Sequence, residues 1–203
     1  MRLELILASA PPKTAQSTPP PLRADARRNR EKLVEVAAAV FAEAGVETSL
    51  EDIARRAGVG IGTLYRHFPT REHLVEVVYR RELESLAAAA EDLAASHAPD
   101  AALEEWMRRF VGYIAAKRGM ASSLKILMDS NASLFAEGSG ILRGAVERLL
   151  RAAADQGFIR NDIDTSDLLH ALSSIYSLPA SAEWRDRSNR LIGLLMDGLR
   201  TKK

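Results

Sequence analysis

Apolar positions along this chain recur at three- and four-residue spacing and nowhere alternate in twos over a strand's length, so the pattern predicts helices throughout. Leu33, Val36, Ala37, Val40, Phe41 and Ala44 trace one face of a first helix that starts at about Asp25 and stops at Gly45. Leu50, Ile53, Ala54 and Ala57 trace a second. Gly58-Val59-Gly60 then breaks the pattern, and Leu64 and Phe68 resume it one turn apart. Ser49 to Phe68 therefore reads as two short helices sharing an apolar seam around a glycine-bearing turn, the plan of a helix-turn-helix. Ser49 with Asp52, or Thr48 with Glu51, makes a capping box at its start.

Beyond Pro69, Thr70 caps a long helix through Leu74, Val78, Leu83 and Leu93 to about Ser96. Its early turns are apolar almost all round, as expected of a strut buried on several sides. Asp100 caps a helix that carries Leu103, Trp106, Phe110 and Ile114 and ends at Lys117-Arg118-Gly119. Leu124 to Met128 is a shorter apolar segment, Asp129 to Gly140 reads as a loop or frayed turn, and Ile141 to Leu150 marks a helix closing at Gly157. A connector leads to a helix from Thr165 through Tyr176, bounded by Pro179, and the last helix runs from about Ala182 to Arg200. Met1 to Leu22 carries Pro11, Pro12, Pro19, Pro20 and Pro21 among polar residues and is expected to be a disordered tail. The fold class is all-α: a three-helix unit with the helix-turn-helix over residues 23–71, then a helical domain over residues 72–203.

Composition changes this picture little. With 47% hydrophobic residues the chain can bury a sizeable core, and a formal charge of +1 means that any basic footprint must be local. Arg23, Arg27, Arg28 and Arg30 form one such cluster at the start of the first helix, matched either by DNA phosphates or by Glu31 and Glu35. The lack of cysteine fits a cytoplasmic protein, and no apolar run reaches the roughly 18 residues of a membrane span. His67, His73, His97 and His170 never fall four apart, no serine sits in a nucleophile elbow, and no metal, cofactor or catalytic group is expected.

Chemistry concentrates on the helix-turn-helix. Outside the seam stand Gly60, Ile61, Gly62, Thr63, Tyr65, Arg66 and His67, small, aromatic and basic groups suited to a major groove. Gly62 permits close backbone approach, Thr63 and Tyr65 offer hydroxyls to phosphate, and Ile61 and Arg66 are candidate base readers. Thr48 and Ser49 at the preceding helix start, together with Arg28, His67 and Arg71, are candidates for the flanking backbone. Ile53-Ala54-Arg55-Arg56-Ala57-Gly58-Val59-Gly60-Ile61-Gly62-Thr63-Leu64-Tyr65-Arg66-His67-Phe68, followed by Arg71 and Leu74, resembles the reader motif of the TetR-type one-component transcriptional regulators. Two positions depart from that motif. Gly60 replaces the usual serine and leaves the second reader helix lightly capped, and Arg71 replaces the usual lysine.

The resemblance implies a homodimer that binds a near-palindromic operator in double-stranded DNA and is released by a small-molecule inducer held in the domain from residue 72 onward, most simply as a repressor. It places the dimer interface on the last two long helices. Leu168, Leu172, Ile175, Leu191, Leu194, Leu195 and Leu199 offer more apolar surface than one internal seam needs, which fits a second buried face. Trp106, Met107, Phe110, Tyr113, Met120, Met128, Phe135, His170 and Tyr176 are candidates to line a cavity for an apolar or aromatic effector, with core packing, or a buried histidine at position 170, as the alternative for each. An activator or nucleoid-type protein without an inducer, and an all-helical enzyme, are the rival functions.

Overall fold

The computed structural model describes residues 21–130, 132–178 and 181–201, and nine α-helices stand among them. These are α1 (Pro21–Ala44), α2 (Leu50–Ala57), α3 (Ile61–His67), α4 (Arg71–Ser96), α5 (Pro99–Gly119), α6 (Ala121–Ser130), α7 (Ala132–Asp155), α8 (Thr165–Ser173) and α9 (Trp184–Leu199). A 3-10 turn, Ser174–Ser177, tightens the end of α8. The single isolated bridge among the described residues pairs Ile159 with Arg200. The tail expected over 1–22 falls outside the described residues except at its end, where α1 begins at Pro21, four residues before the expected start. Proline is compatible with a first helical position because its missing N–H would have no partner there.

Caps and glycines set the first three helices. Ser49 Oγ accepts the Asp52 N–H at 3.1 Å to start α2, and Gly58, at φ +69°, closes it with its N–H on the Ala54 and Arg55 carbonyls. Gly60 starts α3 without any side-chain cap, as its lack of a hydroxyl dictates. The seam closes with Leu50, Ile53, Ala54, Ala57, Leu64 and Phe68 buried against Leu33, Ala37 and Phe41 of α1.

Thr70 Oγ1 accepts the His73 N–H at 3.1 Å and launches α4, the strut. Leu74, Val75, Val78 and Tyr79 on it are all buried, and α4 packs on α1, α5, α6 and α7. Arg81 Nη1 donates to the Glu31 carbonyl at 3.1 Å and the Trp106 indole N–H to the Leu86 carbonyl at 2.8 Å, pinning α4 to α1 and α5. The two halves also meet directly. The Val46 N–H, in the α1–α2 loop, donates to the Gly119 carbonyl at the end of α5 at 2.8 Å.

Two local expectations fail. Asp129–Gly140 is helix except at residue 131, which is not described, and Gly138 in it serves packing rather than a turn. Gly138 is buried where α7 crosses α4, and a Cβ there would lie 2.6 Å from Leu83 Cδ1. At α5, Pro99 takes the first position after Ala98, and Asp100 sits inside the first turn, 3.9 Å from Arg200 Nε, instead of capping. Among the described residues no helix is long and apolar enough to cross a membrane.

Candidate functional site

The outer face of α3 is assembled largely as the seam dictates. Burying Leu64 and Phe68 turns Gly60, Gly62, Tyr65 and Arg66 to solvent, with Tyr65 46% exposed, while Thr63 and His67 are half-exposed. Ile61 is partly buried and packs on the core, so only part of it is available to a groove. Arg66 folds back on its own helix, its Nε donating to the Gly62 carbonyl at 3.1 Å and its Nη2 to Thr63 Oγ1 at 3.2 Å. Both are exposed contacts that a phosphate or base edge can replace. The Ser49 hydroxyl proton is left over from capping α2, whereas the Thr48 hydroxyl donates to the Gly45 carbonyl at 3.0 Å and can only accept from a new partner.

Arg71 is a correction. Its Nη1 donates both to the Thr48 carbonyl, at 2.7 Å, and to the Val46 carbonyl, so it braces the α1–α2 loop against the start of α4 instead of reaching outward to phosphate. A guanidinium spans two carbonyls from one planar nitrogen, which makes arginine in place of lysine intelligible here. The basic cluster on α1 is partly spoken for as well. Arg28 pairs with Asp25, Arg27 lies 3.7 Å from Glu31, and the Arg30 guanidinium stacks 5.3 Å from the Phe68 ring centre. The first two pairs are exposed and weak enough to yield to phosphate. On the outer side of α2, hydrogen bonding from Arg55 holds the Asp52 carboxyl below the usual carboxylate range.

The second domain contains a cavity of about 320 Å³ bounded by α4, α5, α6, α7 and α8. Phe110, Tyr113, Met128, Phe135 and His170 line it as expected. Trp106, Met107 and Met120 do not: all three are fully buried in the core, with the Trp106 N–H satisfied. The side chain of Tyr176 lies outside the described residues. His170 is exposed at the mouth, correcting the buried histidine. Tyr79, Ile114, Lys117, Leu142, Arg143 and Leu169 are among the further wall residues, none of them singled out for the cavity. Lys117 falls in a basic helix end that the helix dipole alone explains. Tyr113 donates to the Tyr79 hydroxyl at 3.5 Å, and burial raises the pKa of both phenols.

The seven residues of the expected interface divide. Leu168, Leu172, Ile175 and Leu199 are buried within this subunit's own core, where no face remains for a partner. Leu194 is 68% exposed, and Leu191 and Leu195 beside it are half-buried. Trp184, buried at the first turn of α9 with Arg118 5.1 Å from its ring centre, anchors that helix to the subunit.

Residues 33–78 match the family model of bacterial regulatory proteins of the tetR family, and residues 98–201 match the C-terminal domain of SbtR-like transcriptional regulators. A solved TetR transcriptional regulator from Streptomyces coelicolor is 41% identical, with 86% of this chain and 99% of that one covered at a TM-score of 0.78. A TetR transcription regulatory protein from Mycobacterium vanbaalenii is 34% identical over 89% of this chain and 100% of that one, at a TM-score of 0.71. An HTH-type transcriptional regulator of Staphylococcus aureus is 44% identical over 64 residues, 31% of this chain, and that match spans only 35% of the relative's length.

Proposed function

Since the chain belongs to the TetR family of bacterial transcriptional regulators, DNA-binding proteins and not enzymes, we propose that it is a cytoplasmic homodimeric repressor that an effector releases from a near-palindromic operator. Residues 23–71 read the DNA, and residues 72–203 hold the effector and the partner. The observation that carries the proposal is a rigidly seamed α3 with Tyr65 and Arg66 outward, joined through α4 to a domain that contains a cavity. An inducer-free regulator has no use for that cavity.

In each subunit α3 enters the major groove, with Thr63, Tyr65 and Arg66 at base edges and phosphates and Ser49 at the flanking backbone. A dimer spans two grooves about 34–36 Å apart, so a small tilt of one reader against the other removes the match. The effector has two routes to that tilt. Tyr79 of α4 is in the cavity wall, eight residues from Arg71, and Lys117 of α5 is in the wall two residues before Gly119, which bonds the α1–α2 loop. A coupling of about 1–3 kcal/mol changes operator affinity by about 5- to 150-fold.

Footprinting on the DNA upstream of the protein's own gene tests the reading. A protected near-palindrome is expected, with affinity that falls steeply as salt rises. Tyr65→Ala is expected to lose that protection while melting as the parent does. Undiminished protection by Tyr65→Ala would move the reader off α3.

A further inference from the structure

The cavity between α4 and α8 differs in its charge from four other concavities of the described surface. Among the described residues the cations Lys117 and Arg143 line it beside the His170 imidazole, and no carboxylate does. The chain as a whole is nearly balanced, with 28 basic and 27 acidic residues, so composition does not explain the bias. Four other concavities on the described surface each hold at least one acid, as where Glu82 and Asp92 accompany Arg109 across α4 and α5.

The basic side chains are layered by depth. Lys117 is half-buried, one helical turn beyond Tyr113, while Arg143 and His170 are exposed at the mouth. Arg143 Nη1 donates to Ser166 Oγ at 3.0 Å, which holds the guanidinium at the rim, and Asp164, outside the lining, is its carboxylate neighbour. Burial pushes the Lys117 ammonium below the usual lysine range, and a negative charge in the cavity opposes that desolvation. Inside, the wall is aromatic. The Tyr79 and Phe135 rings lie 5.1 Å apart, and those of Phe110 and Tyr113 5.6 Å apart.

The geometry points to an effector that bears a single carboxylate on an aromatic body, its ring among Tyr79, Phe110 and Phe135 and its anion against Lys117 and Arg143. This rests on the cavity's being the effector site. The half-buried ammonium and the rim guanidinium, the latter beside Asp164, together suit one anion of planar, two-oxygen geometry. The 320 Å³ correspond to about ten water volumes of about 30 Å³, room for one ring system and a short chain.

Calorimetric titration of the full chain with 3-phenylpropanoate, 4-phenylbutanoate and indole-3-acetate, each paired with its primary amide, tests the proposal. At least one acid is expected to bind, with its amide at least tenfold weaker. Lys117→Met is expected to cut the acid's advantage over its amide to about threefold, the share left to Arg143, and Arg143→Gln, at the exposed rim, to weaken the acid at least threefold without affecting the amide. Arg143→Gln keeps the test open should Lys117→Met fail to fold. An amide that binds as tightly as its acid overturns the carboxylate while leaving the effector site standing. Failure of every acid and every amide to bind at millimolar concentration removes both.

Discussion

Arg66 and Arg71 carry the same guanidinium and have opposite commitments. Arg66 reaches only exposed partners on its own helix, at 3.1 and 3.2 Å, and a DNA phosphate or base replaces them without orphaning a buried group. Arg71 is half-buried and holds two carbonyls of another segment. Arg66→Met is therefore expected to weaken operator binding by about 1–3 kcal/mol with an unchanged urea midpoint. Arg71→Met is expected to lower stability by about 1–3 kcal/mol, because two carbonyls lose a charged donor. An Arg71→Met protein that unfolds like the parent would return Arg71 to the DNA-contacting set. Glu104 contributes a pH dependence at this scale. Arg108, at 2.6 Å, and then Arg200, at 2.8 Å, hold its carboxyl below the usual value of 4.5. The folded state thus binds the proton less readily than the unfolded one, so the stabilisation is complete above about pH 4.5 and is lost as pH falls through the lowered value. The gap in melting temperature between the parent and Glu104→Gln is expected to be constant from pH 7 to 5 and to close below pH 4. A gap that persists in acid would assign the effect to packing.

Two glycines show how helices meet where sequence periodicity says nothing. A Cβ on Gly119 would lie 1.8 Å from the Phe41 carbonyl oxygen, so Gly119→Ala has to part α5 from α1, backbone from backbone. A Cβ on Gly138 would lie 2.6 Å from Leu83 Cδ1, a side-chain end that can turn aside. Chemical denaturation is expected to show a loss of about 3–5 kcal/mol for Gly119→Ala and under about 1.5 kcal/mol for Gly138→Ala. Equal losses would mean that the α1–α5 contact is not a tight one. These contacts mark the limit of what the sequence discloses. The helix-turn-helix was legible because its information is local: a seam at three- and four-residue spacing, a Ser49 cap, a Gly58 turn. Gly138 looks like a helix breaker until α4 is seen lying against it. Arg71 resembled a phosphate contact by position, and only the fold brings the Val46 and Thr48 carbonyls to it.

At the scale of the whole molecule, the proposed regulator needs two readers at fixed separation, and α9 supplies the surface that can fix them. Its inner face is fully used, with Trp184, Ser188, Ile192, Met196 and Leu199 buried in the subunit. Its outer face holds Leu194, 68% exposed, flanked by half-buried Leu191 and Leu195. The helix that precedes it in the chain, α8, has one side in the core through Leu168 and Leu172 and contributes Leu169 and His170 to the cavity wall, so core and cavity meet on one helix. Leu194→Asp places a charge on the outer face without touching subunit packing. It is expected to sediment as a monomer at micromolar concentration, to keep its helical content, and to lose specific operator binding far more than non-specific binding, because one half-site remains where two were held. Leu168→Asp is the control. It buries a charge in the core and is expected to unfold the subunit, at a cost of several kcal/mol, rather than split a folded pair. A Leu194→Asp protein that stays dimeric at micromolar concentration would move the interface off the outer face of α9, and the distance between the readers would then have to be set elsewhere.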